Sequence, residues 1–560
     1  MIASLPRIAW LLIAAFGAFV WFSGLDLRKL QHPDEGRYAE IAREMNVTGD
    51  WLTPRLNGIK YFEKPPLQYW VTAASYRLFE TDQWTARLAP AAAGFLLIFV
   101  VGFTAAGLAG TTAGAYAALA LAGCVWPTVL AHIVTLDALL EFLLACALCS
   151  FLLANREGAS AREARNWMLA AWAQIALATL TKGLVALAIP GMTLLLYSLA
   201  TRDWAPWRRL HLVPGLAVYL VIAAPWFVMV SIANPGFADF FFINEHLRRF
   251  ATGQANRPGP LWYFVPIFAA GLVPWLSIAP WTWRAAWRAA PAANGFRWQA
   301  FCLAWAAFVW VFFSLSGSKL PSYILPMFPA LMLPLGAALA AMPARRIAWL
   351  FGPFAAGTVV LFFAIVAGFE PMAPRFADGR TPVRYLLAFA PWLKLGSGIL
   401  AVAAVAGWAW LRRGDDRSRT LGLVTIALGT LVAFQSLFIG MDVFRETRSG
   451  YDILREAKNA RGAPLDRTVP FYQVGSYDQT VPFYLGRTTT LVAFRDELTM
   501  GILMEPHLAI ESMDEWIGIW RALPDGYALM PMSDYEQLVA QDVPMRVLAT
   551  GPRRVLVSRR

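Results

Sequence analysis

Two short segments concentrate the side chains that could do chemistry. His32-Pro33-Asp34-Glu35-Gly36-Arg37-Tyr38 is followed by Tyr61-Phe62-Glu63-Lys64-Pro65-Pro66. Charge beside a bilayer is costly unless it has a partner or a task. Asp34 and Glu35 could orient an acceptor, act as a base, or stabilise a cationic, sugar-like transition state. The plainer alternative is that they favour a helix N-terminus and pair with Arg37. Lys64 and Arg249 could clamp a phosphate, the usual partner of convergent basic groups; otherwise they are solvated or snorkelling charges. Asp137 opens an apolar segment, where it could cap a helix, and Glu141 follows one turn later. Lys182, in Thr181-Lys182-Gly183, falls between two apolar stretches and needs a partner or an aqueous cavity; Asp137 and the substrate are the candidates. His246, one of 5 histidines, is flanked by Glu245 and by Arg248-Arg249. With Glu63 it would supply two ligands to a divalent metal, or it is a hydrogen-bonded histidine.

The elements that must position these residues are membrane helices. The chain has 560 residues, 58% hydrophobic and 15% charged, with a mean hydropathy of +0.50. A soluble domain carries about 25% charged residues. The formal net charge is +12. Its basic residues concentrate in short loops between apolar runs, a topology bias rather than a nucleic-acid footprint; acidic lipids or phosphorylated substrates are the expected partners, not nucleic acid. Cys146 and Cys149 form a C-x-x-C inside an apolar run, and read as core residues alongside Cys124 and Cys302. No H-E-x-x-H, Walker A or G-x-G-x-x-G motif is present.

A span needs about 20 apolar residues, which gives about thirteen candidates: 8–24, 86–108, 111–126, 137–154, 167–181, 183–200, 212–232, 260–280, 299–315, 320–341, 348–368, 385–411 and 420–440. With the N-terminus in the cytoplasm, the cytoplasmic loops carry Arg156, Arg162 and Arg165; Arg202, Arg208 and Arg209; Arg284, Arg288 and Arg297; Arg345 and Arg346; and Arg412, Arg413, Arg417 and Arg419. The two charged segments, Asp137, Lys182, 244–249 and Ser318-Lys319-Leu320-Pro321-Ser322-Tyr323 then share the opposite face. The first long loop, 25–85, is expected to hold two short amphipathic helices, one from Pro33 with Tyr38, Ile41, Ala42 and Met45 at helical spacing, the other over Leu67 to Phe79 at the membrane interface.

From about Met441 the apolar runs shorten to strand length: 469–474, 489–494, 527–532, 545–549 and 554–557, with helical segments over 514–523 and 533–540. The expected fold class is therefore a polytopic α-helical membrane domain, 1–440, followed by a soluble α/β domain, 441–560, on the same face as the charged cluster.

The two opening segments, Thr181-Lys182-Gly183 and Ser318-Lys319-Leu320-Pro321-Ser322-Tyr323-Ile324-Leu325-Pro326 resemble the 4-amino-4-deoxy-L-arabinose lipid A transferase family. That family belongs to the GT-C class of membrane glycosyltransferases, which use lipid-linked donors and place an acidic motif in the first external loop. The resemblance covers the whole chain. It implies an undecaprenyl-phosphate-linked aminoarabinose donor, a lipid A phosphate acceptor, inversion at the anomeric carbon, and a site at the periplasmic face of the bacterial inner membrane. Masking a phosphate and adding an amine weakens binding of polymyxins and other cationic peptides.

The implied site has Asp34, Glu35 and Asp137 as catalytic carboxylates. Arg37, Tyr38, Tyr61, Lys64, Lys182, Arg249, Lys319 and Tyr323 bind substrate. The attacking phosphate oxygen is already ionised, so a strong base is less necessary and electrostatics dominate. Lys64 and Arg249 would hold the donor phosphate, and Asp34 would stabilise charge at the anomeric carbon. Asp137, Glu63 or Glu35 would pair with the sugar amine. The chemical step needs no metal, although a zinc near Glu63 and His246 is consistent with the motifs. Two alternatives remain. A protein O-mannosyltransferase-like enzyme would use a polyprenyl-phosphate sugar and need Asp34 as a true base. A lipid flippase would distribute polar groups across the bilayer or show inverted repeats.

Overall fold

The computed structural model describes residues 5–248, 258–379 and 381–560, with the side chains of 244–248 excepted. The chain divides into two compact units. The helical unit comprises Met1–Gly24, Ala89–Phe369 and Trp392–Leu437; the mixed unit comprises Leu25–Leu88, Glu370–Pro391 and Phe438–Arg560. The first loop and the last 120 or so residues thus belong to one body, although a long stretch of helices separates them in sequence.

Among the described residues, 8 helices are long and apolar enough to cross a membrane, or 9 if a bent pair counts as one span. Each of the thirteen candidate segments contains helix, but not all as one rod. Helices α1 (Arg7–Ser23), α4 (Gln83–Ala109), α7 (Asp137–Ala154), α8 (Ala161–Lys182), α9 (Val185–Thr201) and α10 (Leu212–Ala233) follow the expected ranges closely. The 111–126 segment is two helices, α5 (Thr111–Ala122) and α6 (Val125–Ala131), bent by 61°.

The 260–280 segment corrects the reading of one continuous span: it is split into Phe264–Gly271 and Ala279–Trp287. Pro274 explains the break, because its ring and missing N–H are incompatible with a helix interior. The freed backbone finds partners nearby, as backbone at membrane depth must. Val125 N donates to Val273 O at 3.1 Å, and Cys124 Sγ donates to Gly271 O at 3.2 Å. Close approach elsewhere uses small residues: a Cβ at Gly336 would meet Ala117 of α5 at 2.5 Å.

Two local signals place the ends of α8. Ser160 and Glu163 form a capping box, with Glu163 N donating to Ser160 Oγ at 3.3 Å and Ser160 N to Glu163 Oε2 at 2.9 Å. Gly183, at φ 81°, ends the helix in a conformation that a side chain would resist. Lys182 is therefore the last helical residue.

In the mixed unit, the two loop helices form as expected: α2 (Asp34–Thr48) and α3 (Leu67–Leu78). Between them β1 (Arg55–Leu56) and β2 (Ile59–Lys60) make a hairpin across Asn57-Gly58, both with positive φ. α2 departs from the amphipathic expectation. Every residue from Glu35 to Met45 is buried, charged ones included.

The terminal segment folds as a six-stranded sheet of order β5-β4-β3-β6-β8-β7. Its strands are β3 (Phe471–Val474), β4 (Thr490–Val492), β5 (Ala509–Ile510), β6 (Tyr527–Pro531), β7 (Arg546–Thr550) and β8 (Arg554–Ser558). The first four in sheet order run parallel; β8 and β7 are antiparallel. Helices Met513–Ala522 and Met532–Ala540 coincide with the two expected helical segments. Trp516 and Trp520 fill the core on one sheet face, against Tyr472, Val474 and Val557.

Candidate functional site

Asp34 and Glu35 open α2 as a pair of first-turn carboxylates, favoured by the positive end of the helix. Their surroundings differ sharply. The Asp34 side chain is 51% exposed and accepts from Arg37 Nη1 at 2.8 Å. The Glu35 side chain is 3% exposed. It accepts from Arg87 Nε at 2.8 Å, Arg87 Nη2 at 2.9 Å and Gln31 N at 3.1 Å, with Arg28 Nη1 3.7 Å away. Burial alone would raise the pKa of Glu35, but the charges of Arg87 and Arg28 and their hydrogen bonds outweigh it and hold it at about 2.

Arg87 was invisible as a site residue in the sequence, yet it organises the loop. Its remaining donors reach Leu25 O at 2.8 Å, Arg28 O at 2.5 Å and Lys29 O at 3.1 Å. All five guanidinium N–H groups are thereby used. The one available signal was an arginine in Thr85-Ala86-Arg87-Leu88, at the mouth of an apolar helix where a charge demands a partner.

Arg37 is shared between Asp34 and Glu497 of the terminal segment. Its guanidinium also lies 5.7 Å from the Tyr38 ring centroid, and Tyr38 stacks on Tyr69 at 6.0 Å. Tyr61 is buried and donates to Glu63 Oε2 at 3.2 Å. Burial pushes the hydroxyls of Tyr61 and Tyr69 well above the usual tyrosine range, so both are donors at any physiological pH. Lys64 is half-buried and its Nζ donates to Glu63 O at 2.8 Å. Asp34, Arg37, Tyr38, Tyr61, Glu63 and Lys64 therefore all belong to the mixed unit, together with Glu497.

The helical unit holds a second group. Asp137 is the first residue of α7, Lys182 the last of α8, and Lys182 Nζ is ion-paired with Asp137 Oδ1. Of the two candidate partners, Asp137 and the substrate, Lys182 thus meets Asp137. Lys182 Nζ also sits 5.0 Å from the Tyr323 ring centroid, a favourable cation–π distance. Lys319 is buried, with Nζ donating to Ser316 O at 2.7 Å. Glu141, one turn into α7, is 1% exposed.

Arg249 and the side chain of His246 lie outside the described residues. Among the described residues no group of three or more His, Cys, Asp or Glu could hold a metal ion. Glu63 is engaged by Tyr61, so the zinc suggested near Glu63 and His246 gains no support. The four cysteines are unpaired, with Cys124, Cys149 and Cys302 buried in apolar surroundings.

Residues 459–559 match the family model described as Aminoarabinose transferase C-terminal domain. Residues 9–241 match that of Dolichyl-phosphate-mannose-protein mannosyltransferase. An undecaprenyl phosphate-alpha-4-amino-4-deoxy-L-arabinose arabinosyl transferase of Aeromonas hydrophila is 32% identical over 68% of this chain and 70% of its own length. The corresponding Erwinia tasmaniensis protein is 33% identical, with the alignment spanning 57% of each chain. The chain thus spans less than two thirds of the length of some curated relatives that it matches.

The crystal structure of ArnT from Cupriavidus metallidurans bound to undecaprenyl phosphate is 38% identical, covers 99% of both chains and superposes with a TM-score of 0.92. Its apo state gives 0.90 at 37% identity, covering 99% of this chain and 98% of that one. The apolar helices and these relatives make the protein a multi-pass inner-membrane protein. With a relative above 30% identity aligned over more than two thirds of its length, and a solved structure matched end to end, the chain belongs to the aminoarabinose transferase family of GT-C membrane glycosyltransferases.

Proposed function

We propose that the protein transfers 4-amino-4-deoxy-L-arabinose from undecaprenyl phosphate to phosphate groups of lipid A, with inversion, at the periplasmic face of the inner membrane. The observation that carries this reading is the end-to-end likeness to a family member solved with undecaprenyl phosphate. The first loop and the terminal α/β segment, 441–560, face the periplasm, and the Arg-rich loops face the cytoplasm.

The acceptor phosphate is ionised near neutral pH, so its oxygen attacks the anomeric carbon without prior removal of a proton. The bond from that carbon to the donor phosphate oxygen breaks, and undecaprenyl phosphate leaves as an anion. Lys64, Arg37 and Arg249 bind that phosphate and stabilise it as charge builds on it. Asp34, the exposed carboxylate of α2, faces the positive charge developing at the sugar. Glu35 takes a framework role instead, because its oxygens already serve Arg87 and the Gln31 amide. Asp137 pairs with the amine of the sugar, exchanging part of its hold on Lys182. Lys182 and Lys319 provide positive charge for an anionic acceptor, and Tyr38, Tyr61 and Tyr323 supply rings and hydroxyls to the sugar.

The test is a lipid A mass spectrum from a polymyxin-sensitive Gram-negative strain that lacks its own transferase. Expression of the protein adds one pentosamine per modified phosphate and raises resistance. An unmodified spectrum at normal membrane levels rejects the reading. The Asp34→Ala and Lys64→Ala proteins leave lipid A unmodified.

The mannosyltransferase family match over residues 9–241 favours one second reading, transfer to a hydroxyl acceptor. A hydroxyl must lose its proton, so that reaction shows an acid limb in its pH–rate profile that Asp34→Asn removes. Transfer to phosphate also needs the Asp34 charge, so the acceptor separates the two readings: lipid A gains the sugar in one, a Ser or Thr hydroxyl in the other.

A further inference from the structure

Arg37 stands between two carboxylates from opposite ends of the chain. Nη1 donates to Asp34 Oδ1 at 2.8 Å, and Nη2 pairs with Glu497. Asp34 is half exposed, whereas Arg37 and Glu497 are each only 10% exposed. Glu497 is itself held, since Gln479 Nε2 donates to its Oε1 at 2.7 Å.

The surrounding backbone leaves this arrangement little latitude. A Cβ at Gly36 would meet the carbonyl carbon of Gln479 and the amide nitrogen of Thr480 at 2.6 Å. Only glycine lets α2 approach the terminal segment this closely. Tyr69, buried against the same group, has a hydroxyl with no recorded partner among the described residues, as has Arg37 Nε. The cluster is therefore closed on the Glu497 side and retains donor capacity.

We infer that Glu497 is a positioning residue for the first-loop site: by holding one arm of the Arg37 guanidinium, it keeps Arg37 from closing on Asp34 with both arms. An arginine offered a single carboxylate pairs with it through two parallel hydrogen bonds. Offered two, it divides its nitrogens, and Asp34 here receives only Nη1. Its second oxygen is left for substrate. This gives the terminal α/β segment a direct part in the reaction. The inference rests on the transfer reaction proposed above.

The experiment is a double-mutant cycle on the full-length protein in detergent, with Glu497→Gln and Arg37→Lys. Glu497→Gln lowers kcat roughly tenfold, with the melting temperature little changed. Lysine has no fork to divide, so Glu497→Gln in the Arg37→Lys background changes kcat by less than about twofold. A merely structural role for Glu497 predicts additive losses and a lower melting temperature, and either result overturns the inference. Gln479→Ala, which frees Glu497 without removing its charge, gives a smaller loss of the same kind. The cycle is repeated with undecaprenyl phosphate alone as probe, reading its dissociation constant. If the wild-type protein transfers no sugar, the functional reading fails. The affinity cycle still decides this inference, with non-additive changes supporting it and additive ones overturning it.

Discussion

In the mixed unit, α2 buries Glu35, Glu40, Arg43 and Glu44 within eleven residues; Glu35 is locked by several fixed donors, Glu40 by Arg43, and Glu44 by the Gly58 amide. In the helical unit, α7 and α8 bury long apolar runs with Glu141 among them, and one ion pair stands at their ends, Asp137 with Lys182. The difference teaches how to sort charges in this protein. Where one carboxylate meets several donors from different elements, as Glu35 does, it builds a framework. Where a charge sits at a helix end with few partners, as Asp34 and Asp137 do, it keeps capacity for a ligand. Charge density in the sequence does not separate the two cases. Partner number in the structure does.

Removing a framework charge should therefore cost folding stability first. Arg87→Ala leaves Glu35 buried and three backbone carbonyls without their donor, and should lose about 3–5 kcal/mol. The expected readout is loss of the monodisperse peak in fluorescence size-exclusion chromatography. Replacing both partners, Arg87→Leu with Glu35→Leu, should recover part of that loss. If Arg87→Ala melts like the wild type, the framework assignment is wrong.

Gly36→Ala comes next. Its Cβ has backbone rather than a flexible side chain in its way, so overpacking should cost about 1–3 kcal/mol, seen as a lower melting temperature.

A smaller and pH-dependent effect should follow at Glu44. Burial, then the neighbouring Glu40 charge, raises its pKa well above the usual range. A group with a raised folded-state pKa contributes stability below its unfolded pKa, and that contribution is lost as pH rises through the folded value. Glu44→Gln mimics the neutral form, so it should gain melting temperature over the wild type at pH 8 and show little difference at pH 4. Glu35 has the opposite sign. With its pKa held at about 2, its contribution is complete above the ordinary carboxylate range and is lost only as pH falls toward 2.

The smallest effect on stability should be at Asp34. Asp34→Asn should shift the melting temperature by no more than a surface change, about 0.5 kcal/mol, while abolishing transfer. Equal losses of stability at Asp34 and Glu35 would erase the distinction between the two kinds of charge.

Much of this was legible from the sequence for physical reasons. Apolar runs of span length and Arg-rich loops mark the membrane helices because lipid imposes both. That Lys182 needs a partner or a cavity followed from the cost of a lone charge beside lipid, with Asp137 one of two candidates. The five longer strands of the terminal sheet showed as short apolar runs between turns. β5, two residues long, carried no such signal, and neither did the order of the sheet. The 260–280 segment looked continuous because hydropathy does not register what Pro274 does to a backbone. The roles of Arg87 and Glu497 were hidden for a different reason. Each depends on a partner 52 or more positions away, and local spacing cannot report that.

The contact at Gly36 bears on how this protein could be divided. Asn57 Nδ2 donates to Thr489 O at 2.7 Å, Arg43 Nη1 to Gly486 O at 3.4 Å, and Arg55 pairs with Glu505 at 2.9 Å. The first loop is thus a missing piece of the terminal fold, supplied from the other end of the chain. A cut near residue 440 would not release a membrane enzyme and a spare domain. It would leave buried glutamates and arginines of α2 facing water. Fragments expressed from separate genes should work only if they reassemble, so a split reporter placed at that junction would read the folding of the whole catalytic body.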